Sequence, residues 1–402
     1  MANITCLRTI RIAERPNLIW VEIETDDGLV GLGESFRGAQ ATEAVIHEQI
    51  APWLLGRDAR RIEAVSRQLT TPYLGFHSAG AEIRAASAID IALWDMAGKR
   101  HGIPVHEALG GAVRNEIRAY NTCAGYAYNT AGVARRAVGA EEAQVGPYDD
   151  QIAFTRDAGA LAESLLSEGF TAMKIWPFDI YADKNGMISL TDLKAGLEPF
   201  RKIRAAVGDK IEVMAELHSL WNTTSAIRIC RALEDYGVLW AEDPINKMDD
   251  VRALADLRRQ TKTPICGSET LAGTVPFRDL LAADAVDFVM LDLAWCGGLT
   301  EGRKIAALAE TYGKPLAPHD CTGPITLWAG LHLGLHASAA IFQEVVRATL
   351  ATWYQHLVTD LPIIRNGMVQ APTGVGLCTS LRPEIKLRDD ATIRLSGQAL
   401  GV

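Results

Sequence analysis

The sequence predicts an α/β protein in which a closed barrel of parallel strand–helix units accompanies a separate α+β module. Three observations lead there. Six apolar runs each end in a polar or charged group, at Glu216, Glu242, Glu269, Asp292, His319 and Glu344, with steps of 26, 27, 23, 27 and 25 residues. Such a step is about the length of one strand plus the helix that returns the chain to the next parallel strand. The stretches between carry helical patterning, as Ile305, Leu308, Ala309 and Tyr312 do at i, i+3, i+4 and i+7. Finally, 402 residues leave room for a barrel of about 250 residues and a second domain. Groups at the C-terminal ends of successive parallel strands converge on one mouth only if the sheet closes on itself.

The elements follow in order. Residues 1–115 read as the α+β module. Ile19, Val21 and Ile23 alternate with Trp20, Glu22 and Glu24, and Asp26-Asp27-Gly28 turns the chain into Leu29 to Glu34, which predicts a hairpin with one buried face. Ala41 to Leu54 and Arg60 to Leu69 have helical character, and Pro72 to Gly80 reads as a loop. Ala85, Ala88, Ile89, Ala92, Leu93 and Met96 fall at helical spacing on a packed helix that stops at Gly102 and Pro104. Asp90 and Asp95 on that helix are expected at its surface or in a salt bridge rather than in catalysis. The barrel is expected over 116–360, its first strand from Glu116 to Ala124 and its second from Thr171 to Trp176, after a long connection over Gly125 to Gly146. Residues 361–402 read as a segment returning to the first module, with Gly367 to Leu377 as a loop.

Composition narrows the function. A 48% hydrophobic share and 22% charged residues are ordinary for a globular protein. No apolar stretch approaches the ~20 residues that span a bilayer, and the N-terminus lacks a hydrophobic signal core, so a cytoplasmic protein without membrane partners is expected. A net charge of −9 without basic runs argues against nucleic acid. Seven scattered cysteines with no CxxC pair predict reduced, mostly buried thiols.

The ladder also specifies chemistry. Glu216, Glu242 and Glu269 on consecutive strand ends cannot all remain ionised in a confined mouth without a counter-cation. All-oxygen ligation favours a hard divalent ion, Mg²⁺ above all. The bland alternative is three unrelated glutamates paired with Lys or Arg. Asp292 can fix the tautomer of His319 and leave its other nitrogen free as a base. Lys174, with Trp176 on the same strand face, places a cation near a substrate carboxylate or pairs with a ligand Glu. His218, two residues beyond Glu216, should share its face by period two and could serve as an acid, or simply as a structural neighbour. Glu344 either binds substrate hydroxyls or pairs with Arg347.

These residues resemble the enolase superfamily, in its mandelate racemase-like subgroup. The resemblance rests on SAIDIALWDMAGKRHGIPVHEALGG (Ser87 to Gly111), MKIW, AELH, AEDP, GSET, MLDLAWCGG and APHD, and covers nearly the whole chain. It implies a (β/α)7β barrel under an α+β capping domain, and removal of the proton α to a carboxylate with Mg²⁺ stabilising the enediolate. It further implies Glu216, Glu242 and Glu269 as metal ligands, Asp292 and His319 as the base dyad, and Glu344 as the eighth-strand carboxylate. Two departures matter. Racemases of this group carry Lys-x-Lys on the second strand, whereas here Lys174-Ile175-Trp176 lacks the second base, and indole has no useful basicity. His218 is similar to the acid of galactonate dehydratase-like members, although Glu216 stands where those usually have Asp, and Trp295 where racemase-like members often have Arg.

The expected function is dehydration of an acid sugar, an aldonate or aldarate, to a 2-keto-3-deoxy acid. A cycloisomerase or epimerase on the same scaffold is the nearest alternative, and a non-catalytic acid-sugar-binding barrel a more distant one. Loops over Arg15 to Phe36 and Pro72 to Ser78 are expected to set specificity, with Tyr73, Phe76, His77 and Trp176 as candidate substrate contacts. A homo-oligomer is expected, a closed symmetric assembly being usual for a soluble enzyme.

Overall fold

A computed structural model describes residues 2–71, 79–126, 128 and 148–398. Tyr73, Phe76, His77 and most of the Gly125 to Gly146 connection lie outside the described residues. The chain opens with three antiparallel strands, β1 (Ile4–Ile12), β2 (Leu18–Thr25) and β3 (Val30–Phe36). Helical residues 39–54 and 62–70 follow, then the long helix α1 (Ala81–His101). The hairpin departs from the alternation expected of it, because β2 is buried at every position. Ile19, Val21 and Ile23 pack on α1, while Leu18 and Trp20 join the core shared with the barrel, so both faces are covered.

Two glycines permit the close packing of β3 on α1. A Cβ at Gly31 would stand 2.0 Å from the Ala92 carbonyl oxygen, and one at Gly33 would stand 1.9 Å from that of Ala88. Asp90 and Asp95, expected at the helix surface or in a salt bridge, are both buried. Asp95 does form an ion pair, at 2.6 Å with Lys99, and also accepts the amides of Leu32 and Leu377. Asp90 accepts the amide of Thr300 at 2.8 Å. A buried carboxylate is retained where donors satisfy it, and here the amide donors come from elements distant in sequence.

Eight parallel strands then form the barrel: β4 (Glu116–Thr122), β5 (Ala172–Ile175), β6 (Glu212–Glu216), β7 (Ala241–Glu242), β8 (Ile265–Gly267), β9 (Phe288–Asp292), β10 (Leu316–His319) and β11 (Gln343–Val345). Consecutive strands pair from β4 to β10, and β11 pairs with β4. Closure comes from residues 339–341, where Leu316 donates to the Ala339 carbonyl and Ile341 to that of Leu316. Seven helices connect the strands: α2 (Asp150–Ser167), α3 (Leu190–Val207), α4 (Thr223–Leu233), α5 (Val251–Arg259), α6 (Thr274–Ala282), α7 (Gly298–Thr311) and α8 (Pro324–His336). This is the expected (β/α)7β barrel with its α+β capping module.

The barrel interior is plugged by one side chain per strand unit: Tyr120, Ala172, Met214, Trp240, Cys266, Met290, Ala317 and Phe342. Two residues beyond seven of these stand Thr122, Lys174, Glu216, Glu242, Asp292, His319 and Glu344. Period two therefore stacks the polar mouth directly on the apolar plug.

The last segment differs from the loop expected over Gly367 to Leu377. Strands β12 (Ile364–Arg365) and β13 (Met368–Gln370) form a small hairpin, and β13 runs antiparallel to the start of β4. Gly376 then exchanges backbone hydrogen bonds with Ile103 and Val105, and β14 (Ala391–Gly397) pairs with β1. The seven cysteines are all free and five of them are buried. Among the described residues no helix is long and apolar enough to cross a membrane.

Glu34 at the end of β3 fastens the cap to the barrel. It is fully buried and accepts hydrogen bonds from the Thr326 amide and hydroxyl in the first turn of α8, and from the Trp20 indole at 2.8 Å. Burial raises its carboxyl to about 7 against the pull of Thr326. The unfolded chain releases that proton near pH ~4.3, so the stability from this group is complete below that value and is lost as pH rises through 7. Glu34→Gln should flatten the decline by about 3 kcal/mol between pH 4 and 8 in urea denaturation; an unchanged pH slope would refute this.

Candidate active site

The mouth of the barrel is built from strand ends. Lys174, last but one in β5, is buried and reaches three carboxylates: Glu242 at 2.6 Å, Glu344 at 3.0 Å and Glu216 at 3.5 Å. Burial works against the ammonium, but Glu242 and Glu344 hold its pKa well above the ordinary lysine value. Trp240 donates its indole N–H to the other Glu242 oxygen at 2.9 Å, tying the interior plug to the mouth. Glu344 also accepts the Thr122 hydroxyl and the Asp320 amide. The alternative pairing with Arg347 does not occur, because Arg347 is taken by Asp150 and Glu168, each at 2.7 Å.

Glu216, Glu242 and Glu269 each offer an oxygen, and these atoms lie within 4.8 Å of one another. The extra methylene of Glu216 relative to Asp does not take it out of this group. Burial lifts Glu216 to about 7 and carries Glu242 and Asp243 well above the carboxylate range, with neighbouring carboxylates adding to the effect. Asp243, immediately after Glu242, is buried with Oδ1 unpartnered. The cluster thus holds more negative charge than Lys174 and the histidines offset. A hard divalent cation fits this all-oxygen, under-neutralised set.

His319 ends β10 with both ring nitrogens engaged, Nδ1 with Asp292 at 2.7 Å and Nε2 with Glu269 at 2.7 Å. Asp292 also accepts the Ala294 amide, which fixes the carboxylate. Burial opposes a charged imidazole, yet Glu269, Glu344 and Asp292 together raise its pKa well above normal. Trp295 stacks on the ring with centroids 5.6 Å apart and donates its indole N–H to the Phe36 carbonyl of the cap.

His218 reaches the mouth by a different route from the one its spacing suggests. The strand stops at Glu216 and His218 adopts a left-handed φ of 48°, so period two no longer applies. Its backbone N–H donates to Glu216 at 2.6 Å. The imidazole is held by Asp179 at Nδ1, 2.7 Å away, and meets the Tyr128 hydroxyl at Nε2, 3.1 Å away. Burial lowers its pKa, but Asp179 raises it further, for a net rise. Trp176 is buried and packs edge-on against His218, between Tyr128 and Phe154.

The structure therefore brings Lys174, Trp176, Glu216, His218, Glu242, Glu269, Asp292, His319 and Glu344 into one region. Sequence reasoning passed over Asp179, Tyr128 and Asp243. Asp243 stands inside the AEDP stretch and was legible there; Asp179 lies three residues past Trp176, beyond the expected second strand.

Comparison with known proteins adds independent findings. Residues 7–110 match the N-terminal domain of mandelate racemase / muconate lactonizing enzyme, and residues 157–385 match the enolase C-terminal domain-like family. A D-galactonate dehydratase of Ralstonia nicotianae is 33% identical, over 85% of this chain and 81% of its own. A D-xylonate dehydratase of Haloferax volcanii is 30% identical, over 94% and 87%. The crystal structure of an enolase protein from Sargasso Sea environmental sequencing superposes with a TM-score of 0.89 at 59% identity, over 99% of this chain and 100% of that one. An enolase of the mandelate racemase subgroup from Agrobacterium tumefaciens superposes with a TM-score of 0.87 at 46% identity, over 98% and 99%.

Lys174→Met removes the ammonium from among three buried carboxylates. The metal-free variant should lose about 3 kcal/mol or more in urea denaturation, and excess Mg²⁺ should recover part of that loss. A neutral substitution in metal-free protein would contradict this charge balance.

Proposed function

We propose that this chain, which belongs to the mandelate racemase and muconate lactonizing enzyme family of the enolase superfamily, dehydrates an acid sugar to a 2-keto-3-deoxy acid with Mg²⁺ as cofactor. The observation that carries this reading is the presence of two differently wired histidines at one carboxylate-lined mouth. His319 is oriented by Asp292 and His218 by Asp179, each at 2.7 Å. The dehydratase names of the relatives support the same reaction class.

Glu216, Glu242 and Glu269 would hold the cation, with Asp243 beside them. When bound, it supplies the positive charge that makes the proton next to a substrate carboxylate acidic. Lys174 adds a fixed ammonium on the same side and so helps to orient that carboxylate. His319 would remove the C2 proton through Nε2 once Glu269, which pairs with that nitrogen at 2.7 Å, turned to the cation, while Asp292 keeps Nδ1 protonated and the ring in place. His218, with Nδ1 on Asp179, delivers a proton from Nε2 to the departing 3-hydroxyl. The C2–H and C3–O bonds break, water leaves, and the enol tautomerises to the ketone. Trp176 packs against His218 and Trp295 stacks on His319, which helps to hold the two rings in place. With Trp176 in place of a second lysine base, inversion at C2 has no proton acceptor on the opposite face.

Proton NMR in D₂O with Mg²⁺ across aldonates and aldarates tests the reading. Loss of the C2 proton together with a partly deuterated 3-methylene signal is expected. C2 exchange without water loss would instead favour an epimerase or cycloisomerase. His319→Asn should lower C2 exchange by about 10³-fold or more, and retained exchange would remove His319 as the base. His218→Asn should keep measurable C2 exchange while dehydration falls by about 10²-fold, and intact dehydration would assign the acid to another group.

A further inference from the structure

On the His319 side of the mouth, two arginines of the cap lie near enough to repel each other, and among the described residues neither forms an ion pair. Arg84 lies in the first turns of α1, and its Nε is buried with no hydrogen-bond partner. A cation there is disfavoured by the helix dipole, which favours negative charge at an N-terminus. Its helix is tied to the chain just beyond Asp292: Gly297 donates its amide to Ser87, one turn along α1, at 2.9 Å. Arg37 follows β3, and its guanidinium carbon stands 6.0 Å from the centroid of the Trp295 ring that stacks on His319. Arg37 is an exposed non-glycine residue with a φ of 67°, a conformation that costs energy and persists where neighbouring structure imposes it. Among the described residues no acidic side chain comes within ion-pair distance of either guanidinium. Burial lowers the Arg84 pKa, the nearby Arg37 lowers it further, and Asp292 acts in the opposite sense.

Two other arginines of the cap are already satisfied. Arg15 stacks on Trp353 at 4.4 Å and pairs with Glu14 at 3.2 Å, and Arg11 pairs with Glu43 at 2.9 Å. Two neighbouring cations that form no ion pair among the described residues, one with a buried unpaired N–H, are suited to receive an anionic group brought from outside. The proposed reaction already places one substrate carboxylate at the glutamates and Lys174, so a second anion must come from the other end of the substrate.

We propose that Arg37 and Arg84 bind a second, distal carboxylate of the substrate, which makes the substrate an aldarate, a diacid sugar, rather than an aldonate. This inference rests on the dehydration reading for the identity of the substrate, but the receptor itself is testable without turnover. Adipate and hexanoate have six carbons each, lack the hydroxyls needed to react, and differ only in the second carboxylate. In the Mg²⁺-loaded protein, calorimetric titration should show adipate binding about 10-fold or more tighter than hexanoate. Arg84→Gln, and separately the exposed Arg37→Gln, should collapse that ratio, while Arg84→Lys should keep part of it. For turnover, an aldarate should be preferred over the aldonate of matching configuration, and either Gln variant should raise the aldarate KM about 10- to 100-fold.

Equal binding of adipate and hexanoate, or a ratio unmoved by both Gln variants, overturns the inference even if dehydration is found. Preferred turnover of the aldonate overturns it as well. Arginine-dependent adipate binding in a protein that dehydrates no acid sugar would leave the receptor standing and remove the reaction.

Discussion

One buried ammonium among three buried carboxylates is the constraint on which the site depends. Lys174 lies within 3.5 Å of Glu216, Glu242 and Glu344, and none of the four groups has more than a trace of solvent exposure. Taking such charges out of water is costly, and partial pairing leaves the excess carboxylates pressed toward protonation. That tension exists because the barrel closes: seven strands present a polar group two residues past an apolar plug, and closure aims them all at one point. The arrangement is poorly suited to stability alone. A further cation, as proposed, would offset the excess.

The capping module also fixes the segments that carry the His319 side of this mouth. Trp295, which stacks on His319, is fixed by its hydrogen bond to the Phe36 carbonyl, and the Ser35 hydroxyl donates to the Ala294 carbonyl beside it. Glu34, the next residue back, accepts from Thr326 in the helix after β10. Three consecutive residues of β3 thus hold the segments that follow Asp292 and His319. The histidine on the other side is secured from within the barrel by Asp179. The two imidazoles are thus held by different carboxylates, His319 by Asp292 and Glu269 and His218 by Asp179.

Much of this was legible in the sequence, and the reasons are specific. The ladder from Glu216 to Glu344 could be read because a parallel strand and its helix recur at nearly constant length, and because period two within each strand fixes which residue faces inward. The match of the chain to both family domains agrees with that reading. Legibility failed where the backbone left the regular period. His218 sits on a left-handed turn just past its strand, so its partnership with Asp179, distant in sequence, carries no spacing signal. Asp95 was expected in a salt bridge or at the surface, and only tertiary packing reveals that two further amides from remote strands and loops bury it. β13 went unread because a three-residue strand has too little pattern to distinguish it from a loop. Tyr73, Phe76 and His77 remain expectations from sequence, since they lie outside the described residues.

The central assignment is that the carboxylate excess at the mouth exists to hold a divalent cation next to the two histidines. Anomalous diffraction from crystals grown with Mn²⁺, which takes the same oxygen ligands as Mg²⁺, tests it most directly. A single strong peak about 2.0–2.3 Å from oxygens of Glu216, Glu242 and Glu269 is the expected result. A mouth without a peak at saturating Mn²⁺, or a peak only at surface carboxylates, would contradict the assignment and leave the three glutamates as partners of Lys174 and His319 alone.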